Sequence, residues 1–232
     1  FVLNMFFGVV INAVTGIAST VQSTLSAFSN NVLVAIKPQI TKRFALGKIN
    51  EMMNLIMSGI RFSLLLQLML SLPIILCMDY ILHLWLKNPP SDCASFCRVM
   101  LYSNILGSVS QVVYSGIQTV GRLKSVSIFR NVVYIATPIL IYLAFLLHDF
   151  PPITSYIIIL FLQIIAAIIE MVIFSNMIKE FNVPKLLSLI LKVILILVVI
   201  IFINRCIINS STHGLIQFVL VSICTEILLL AG

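Results

Sequence analysis

The sequence predicts an all-α fold, a polytopic transmembrane helix bundle, and three observations carry that prediction. First, 61% of its 232 residues are apolar and only 9% are charged, with a mean hydropathy of +1.18. A soluble domain is nearer half apolar and a quarter charged, and a chain this short cannot hide the excess in one core. Second, the apolar runs are about 20 residues or longer, which suits spanning helices; barrel strands would be about ten residues and alternating. Hydrocarbon offers no water to backbone groups, so each span must satisfy its own hydrogen bonds. Third, the basic residues crowd into alternate connections.

Taken in order, residues 1–8 read as the end of a truncated transmembrane helix. Spans follow near 10–36, 54–80, 95–119, 124–147, 153–178, 185–208 and 213–232. The breaks carry turn chemistry: Lys37-Pro38 and Gly47, Asn88-Pro89-Pro90, Gly121, Pro151-Pro152, Asn182 with Pro184, and Asn209 to Gly214. Pro73 and Pro138 fall inside spans and should kink them, which membrane helices tolerate. Several connections are only a few residues long, so neighbouring helices run antiparallel. The chain opens at Phe1 inside one apolar segment and stops inside another at Leu228–Gly232, so a piece of a longer protein is expected. Three regions result: the helix end at 1–8, polar-striped helices over 9–147, and more apolar peripheral helices over 148–232, the last truncated.

Charge then orients the bundle. One set of connections and helix ends holds Lys37, Lys42, Arg43, Lys48, Arg61, Arg122, Lys124, Arg130, Lys179, Lys185 and Lys192; the other holds Lys87, Arg98 and Arg205. That 11-to-3 split of the 14 basic residues predicts that loops near 37–53, 120–124 and 179–185 are cytoplasmic. It also explains the net charge of +7 by topology and anionic lipid head groups, with no nucleic-acid partner implied.

Polar residues within the spans are patterned. Asn12, Thr15, Ser19, Gln22, Ser26 and Ser29 recur at intervals of three and four, which places them on one helical face. The stripe is about 26 Å long, close to the hydrocarbon thickness, and Asn30 and Asn31 extend it. Asn104, Gly107, Gln111, Ser115 and Gln118 repeat the pattern over 95–119. Asn54, Ser58, Arg61 and Gln67 mark 54–80, and Ser127, Arg130, Asn131, Tyr134 and Tyr142 mark 124–147. Val193–Ile203 has no polar side chain. Small and polar residues glue membrane helices together, which accounts for Ser, Thr and Gly. Gln22, Gln111 and Gln118 carry more hydrogen-bonding capacity than a tight contact satisfies, which favours a wet cavity.

Ionisable residues in the membrane are functional candidates by default. Arg61 and Arg130 lie about a turn and a half inside their spans, either snorkelling to lipid phosphate or meeting an anionic substrate group. Glu170 is either a proton or cation site or a helix-end carboxylate paired with a Lys. Asp79, His83 and Trp85 resemble an interfacial belt. The candidate cavity residues are therefore Asn12, Gln22, Asn30, Asn31, Arg61, Gln111, Gln118 and Arg130.

Other classes find little support. The five cysteines (Cys77, Cys93, Cys97, Cys206, Cys224) lack zinc spacing, so no metal is expected. A phosphate-binding Gly-rich loop, an HExxH motif and paired acidic residues are missing, so neither enzyme activity nor a cofactor is expected.

The chain also resembles a family. The carrying residues are Leu3-Asn4-Met5-Phe6-Phe7-Gly8, Asn12-Ala13, Gly16-Ile17-Ala18, Val21-Gln22 and Lys37-Pro38-Gln39-Ile40-Thr41-Lys42. Further on come Leu72-Pro73-Ile74, Ile81-Leu82-His83-Leu84-Trp85-Leu86, Gly121-Arg122-Leu123-Lys124 and Phe150-Pro151-Pro152. Over roughly residues 1–180 this is similar to the carboxy-terminal half of Bacteroidetes-type polysaccharide export proteins. These are Wzx-type relatives in the multidrug/oligosaccharidyl-lipid/polysaccharide flippase superfamily. The resemblance implies the C-terminal lobe of a MATE-like two-lobe transporter, with about twelve to fourteen helices around a central cavity and the N-terminal lobe as partner. It further implies flipping of undecaprenyl-diphosphate-linked oligosaccharide across the bacterial inner membrane by alternating access. Arg61 and Arg130 would then lie near the diphosphate and the polar stripe near the sugar. A cation-coupled multidrug exporter of the same superfamily is the alternative; a non-transport scaffold in polysaccharide assembly is a third.

Overall fold

The computed structural model describes residues 2–121 and 123–178, with isolated positions beyond. Six helices and no strand occur among the described residues: α1 (Val2–Ala45), α2 (Ile49–Leu76), α3 (Met78–Leu86), α4 (Cys93–Val120), α5 (Leu123–Leu147) and α6 (Thr154–Met177). The fold is an all-α helical bundle. The expected spans near 185–208 and 213–232 lie outside the described residues, as do Arg122 and the Lys179–Lys185 connection.

Helix boundaries follow local chemistry. α1 is two helical pieces joined at Gly8, whose φ of 75° and ψ of −166° lie outside helical geometry and suit glycine alone. At the far end, Gly47 adopts φ 70°. Its N–H bonds the Phe44 carbonyl, and the Lys48 N–H reaches back to that of Arg43, the paired closure of a Schellman turn. Arg43 and Lys48 both hold Glu51 across this turn.

Two sequence-based boundaries shift. The break expected at Lys37-Pro38 is absent, and α1 runs on to Ala45. A proline inside a helix removes one backbone bond, but here tertiary contacts hold the following turn. Ile40 is fully buried, and Lys37 Nζ donates to Gln118 Oε1 at 2.8 Å. The span expected over 54–80 starts earlier, at Ile49, and ends at Leu76, after which α3 departs with Trp85 and His83 exposed. Arg98 ties this junction, donating to the Ile75 carbonyl at 3.2 Å and pairing with Asp79.

α2 and α4 form the centre. Ile56, Ile60 and Leu68 of α2 meet Phe96, Val113 and Ile117 of α4, with Phe174 of α6 and Val14 and Ala18 of α1 closing over them. Lipid is as apolar as leucine, so close approach and hydrogen bonds, more than hydrophobicity, hold such helices together. A Cβ on Gly116 would lie 2.8 Å from the Phe174 ring and 3.0 Å from Ile56, so α4 nests against both neighbours only because that position is glycine. Ser29 Oγ donates to Gln67 Oε1 at 2.6 Å, and Gln67 Nε2 passes the chain to Ser71 at 3.0 Å.

The outer surfaces are hydrocarbon. Ile135, Ile139 and Leu147 of α5 and Phe161, Ile168 and Val172 of α6 are all at least half exposed. Exposed apolar surface this continuous is untenable in water. Four helices (α1, α2, α5 and α6) are long and apolar enough to cross a membrane. α4 is long enough but too polar to join them, and it is also the helix most enclosed by others.

Candidate functional site

The polar residues of α4 organise the site. Asn104, Gln111 and Gln118 lie seven residues apart, which keeps them within about 20° per step on one helix face, over about 21 Å. Asn104 Nδ2 reaches the Gln22 carbonyl at 3.4 Å, and its Oδ1 accepts from Ser26 at 2.7 Å. Gln118 accepts from Lys37. Both ends of the line therefore touch α1, and Gln111, between them, borders α5 and α6. α5 approaches α1 at one end, where Phe6 and Phe7 pack on Phe145 with ring centroids 5.7 Å and 4.9 Å away.

Beside Gln111 lies a cavity of about 490 Å³ between α4, α5 and α6. Arg130 and Glu170 line it as an ion pair at 2.5 Å, through Arg130 Nε and Glu170 Oε1. Glu170 is only 1% exposed, and its second oxygen accepts from Ser110 at 2.5 Å. A buried carboxylate demands this partnership, since an isolated one would be prohibitively costly. The guanidinium also lies 3.8 Å from the centre of the Tyr114 ring, a favourable cation–π position. Its terminal nitrogens make no hydrogen bond among the described residues, and Arg130 is one of the residues that line the cavity. Gln111 Oε1 is buried without a hydrogen-bond partner among the described residues.

Of the eight residues singled out by sequence, Gln111 and Arg130 meet at this cavity, and Gln22 and Gln118 lie on the same α1–α4 seam. Asn12, Asn30 and Asn31 are exposed on α1, and their amides make no hydrogen bond among the described residues. Arg61 is not brought to the seam. A Cβ on Gly59 would face Ile36 of α1 and Val112 of α4, and Arg61, two residues on, projects from the opposite side of α2, exposed. The inner part of the α1 stripe, Ser26 and Ser29, serves helix contacts.

Sequence reasoning left Glu170 with a lysine partner or a proton role; its partner is Arg130. A signal for the pairing was present. Arg130 lies 17 residues before the end of α5 and Glu170 lies 16 after the start of α6, so an antiparallel hairpin sets them level. Gln163 was also missed: it lines the cavity and donates to the Ser103 carbonyl at 3.1 Å.

Fold and site together define a multi-pass α-helical membrane protein with a cavity between α4, α5 and α6 that an ion pair lines. No family model matches the chain, nor does any curated protein or solved structure.

Proposed function

We propose that this chain is the C-terminal lobe of a flippase for lipid-linked oligosaccharide, such as an undecaprenyl-diphosphate-linked repeat unit, in a bacterial inner membrane. The observation that carries this reading is the amide line of α4, Asn104–Gln111–Gln118, with Arg130 lining the same cavity as its middle member and the polar face of α1 at both ends. Amides and an arginine inside a membrane protein mark a substrate path, and arginine suits phosphate. Arg130 is the residue we assign to the diphosphate. Arg61, turned away from the seam, takes the snorkelling role at the lipid interface. The loops near 37–53, 120–124 and 179–185 are cytoplasmic in this scheme, so Arg130 meets substrate near the cytoplasmic side. The N-terminal lobe supplies the facing half of the cavity.

The second reading is a cation-coupled multidrug exporter of the same superfamily. Buried Glu170 is the feature on its side, but that carboxylate is already matched by Arg130 and Ser110.

The test is the double variant Arg130→Gln/Glu170→Gln in the complete transporter. It keeps a neutral hydrogen-bonded pair while removing the cation. Export of surface polysaccharide should fall at least about tenfold at unchanged protein level. Undiminished export would overturn the assignment of Arg130.

A further inference from the structure

The chemistry of the α4–α5–α6 cavity is specific enough to describe a second occupant. Three features set its requirements. The terminal nitrogens of Arg130 present cationic N–H donors with no protein acceptor among the described residues. Glu170 does not add an open anionic site, because its two oxygens already accept from Arg130 and Ser110. Gln111 Oε1 is a buried acceptor with no donor among the described residues. An orphaned buried acceptor costs about 1–3 kcal/mol, and the soft terminal torsion of glutamine can turn it toward a ligand that donates.

A matching ligand therefore carries an anionic acceptor for Arg130 and, a few bonds away, an N–H or O–H donor for Gln111. Much of the remaining wall is hydrocarbon, with Val133, Pro138, Ile159 and Leu162, while Thr137 and Gln163 add a hydroxyl and an amide that already donate to backbone carbonyls. At the rim, Tyr134 is 73% exposed, and the surfaces around it are the apolar outer faces of α5 and α6. The phase beside the cavity is thus lipid, and the occupant must be amphiphilic.

Depth agrees. α5 has 25 residues, about 37 Å, against a hydrocarbon core of about 30 Å, so each end overhangs by about 4 Å. Arg130 lies seven residues into α5, about 10 Å from its end, which leaves it about 6–7 Å below the boundary. A phospholipid headgroup at the interface needs to dip only by about its own length to reach it.

We propose that this cavity binds the headgroup of an ordinary bilayer phospholipid, and specifically one bearing a hydrogen-bond donor. The phosphodiester accepts from the Arg130 terminal nitrogens, an ammonium or hydroxyl donates to Gln111, and the acyl chains lie along α5 and α6. Phosphatidylethanolamine and phosphatidylglycerol meet the requirement; phosphatidylcholine, which has phosphate but no donor, does not. The inference concerns the cavity of the proposed function but stands without it, since it needs neither a glycan nor transport. If that function holds too, a substrate entering here displaces a resident lipid.

The test is lipid binding to the purified chain, read by native mass spectrometry and by thermal stability in detergent. Phosphatidylethanolamine and its N,N-dimethyl form, which keeps one N–H, should bind about tenfold tighter than phosphatidylcholine, the worth of one hydrogen bond. Diacylglycerol, with a donor but no phosphate, should bind no better than phosphatidylcholine. Gln111→Leu removes an unsatisfied acceptor, so it should fold normally and bind all three phospholipids alike. Equal binding of phosphatidylcholine and phosphatidylethanolamine by the native chain would overturn the proposal. So would a preference that survives Gln111→Leu. Competition by soluble glycerol 3-phosphate at equal concentration would also overturn it, by showing a site for free phosphate.

Discussion

Arg130 donates to Glu170 across the α5–α6 hairpin, and the two partners are unequally sheltered. The Glu170 side chain is 2% exposed and the Arg130 side chain 27%. Breaking a buried pair costs about 3–5 kcal/mol because the survivor is left uncompensated. Here the survivors differ. Arg130→Met strands a sealed carboxylate that only Ser110 still serves, whereas Glu170→Gln leaves a cation that keeps Tyr114 and an opening to the cavity. Arg130→Met should therefore be the more damaging by at least about 1 kcal/mol. Unfolding titrations of both variants in mixed micelles give the comparison, and equal losses would show that burial does not govern the pair.

Gly116 offers a sharp packing prediction. A methyl there would press on the Phe174 ring and Ile56, both fully buried. Gly116→Ala should cost about 1–3 kcal/mol. The control is Gly16→Ala on α1, where a Cβ meets nothing within 4 Å; helix propensity alone should make it neutral or stabilising by up to about 1 kcal/mol. Thermal melts of the two variants should move in opposite directions or differ by several degrees.

The Ser29–Gln67 hydrogen bond joins α1 to α2 at a position where Gln67 is fully buried. Hydrogen bonds between membrane helices average about 0.6 kcal/mol and reach about 1.7. A double-mutant cycle with Ser29→Ala and Gln67→Met should return a coupling within that range. A value near zero would mean that packing, not the hydrogen bond, holds these helices.

Water access separates the two faces of the bundle. Single cysteines at Asn12, Ser19, Ser23 or Asn30, on the exposed polar face of α1, should react with a membrane-impermeant thiol reagent. Cysteines at Phe161 or Ile168, on the apolar face of α6, should not. Native Cys77, Cys93 and Cys97 are buried and contribute little background; Cys206 and Cys224 are replaced by serine beforehand. Equal protection of both sets would place the α1 face in lipid.

Much of the architecture was legible in the sequence, because hydropathy and punctuation act locally. Gly8, Gly47 and Gly121 mark three real interruptions, each with positive φ. Pro38 misled because its cost is local, whereas its remedy, the burial of Ile40 and the Lys37–Gln118 bond, comes from a helix about 80 residues away. The α1 stripe was legible as a face, but periodicity does not say whether a face meets a neighbour or a cavity. Ser26 and Ser29 meet neighbours, while Asn12 and Asn30 do not. Arg61 and Arg130 looked alike by depth in their spans. Only the angular position of Gly59 against α1 separates them, and that requires knowing which side of α2 is covered.

The most direct test of lipid-linked glycan translocation is reconstitution of this chain, with the amino-terminal lobe it is proposed to pair with, into proteoliposomes. A polyprenyl-diphosphate oligosaccharide with a tagged terminal sugar is placed in both leaflets, and its accessibility to an external lectin is followed over time. The predicted result is protein-dependent movement of tagged sugar between leaflets, abolished by Arg130→Gln/Glu170→Gln and retained by Arg61→Ala. Sugar that stays in its original leaflet at the rate of protein-free vesicles, with the protein folded and inserted, would contradict it.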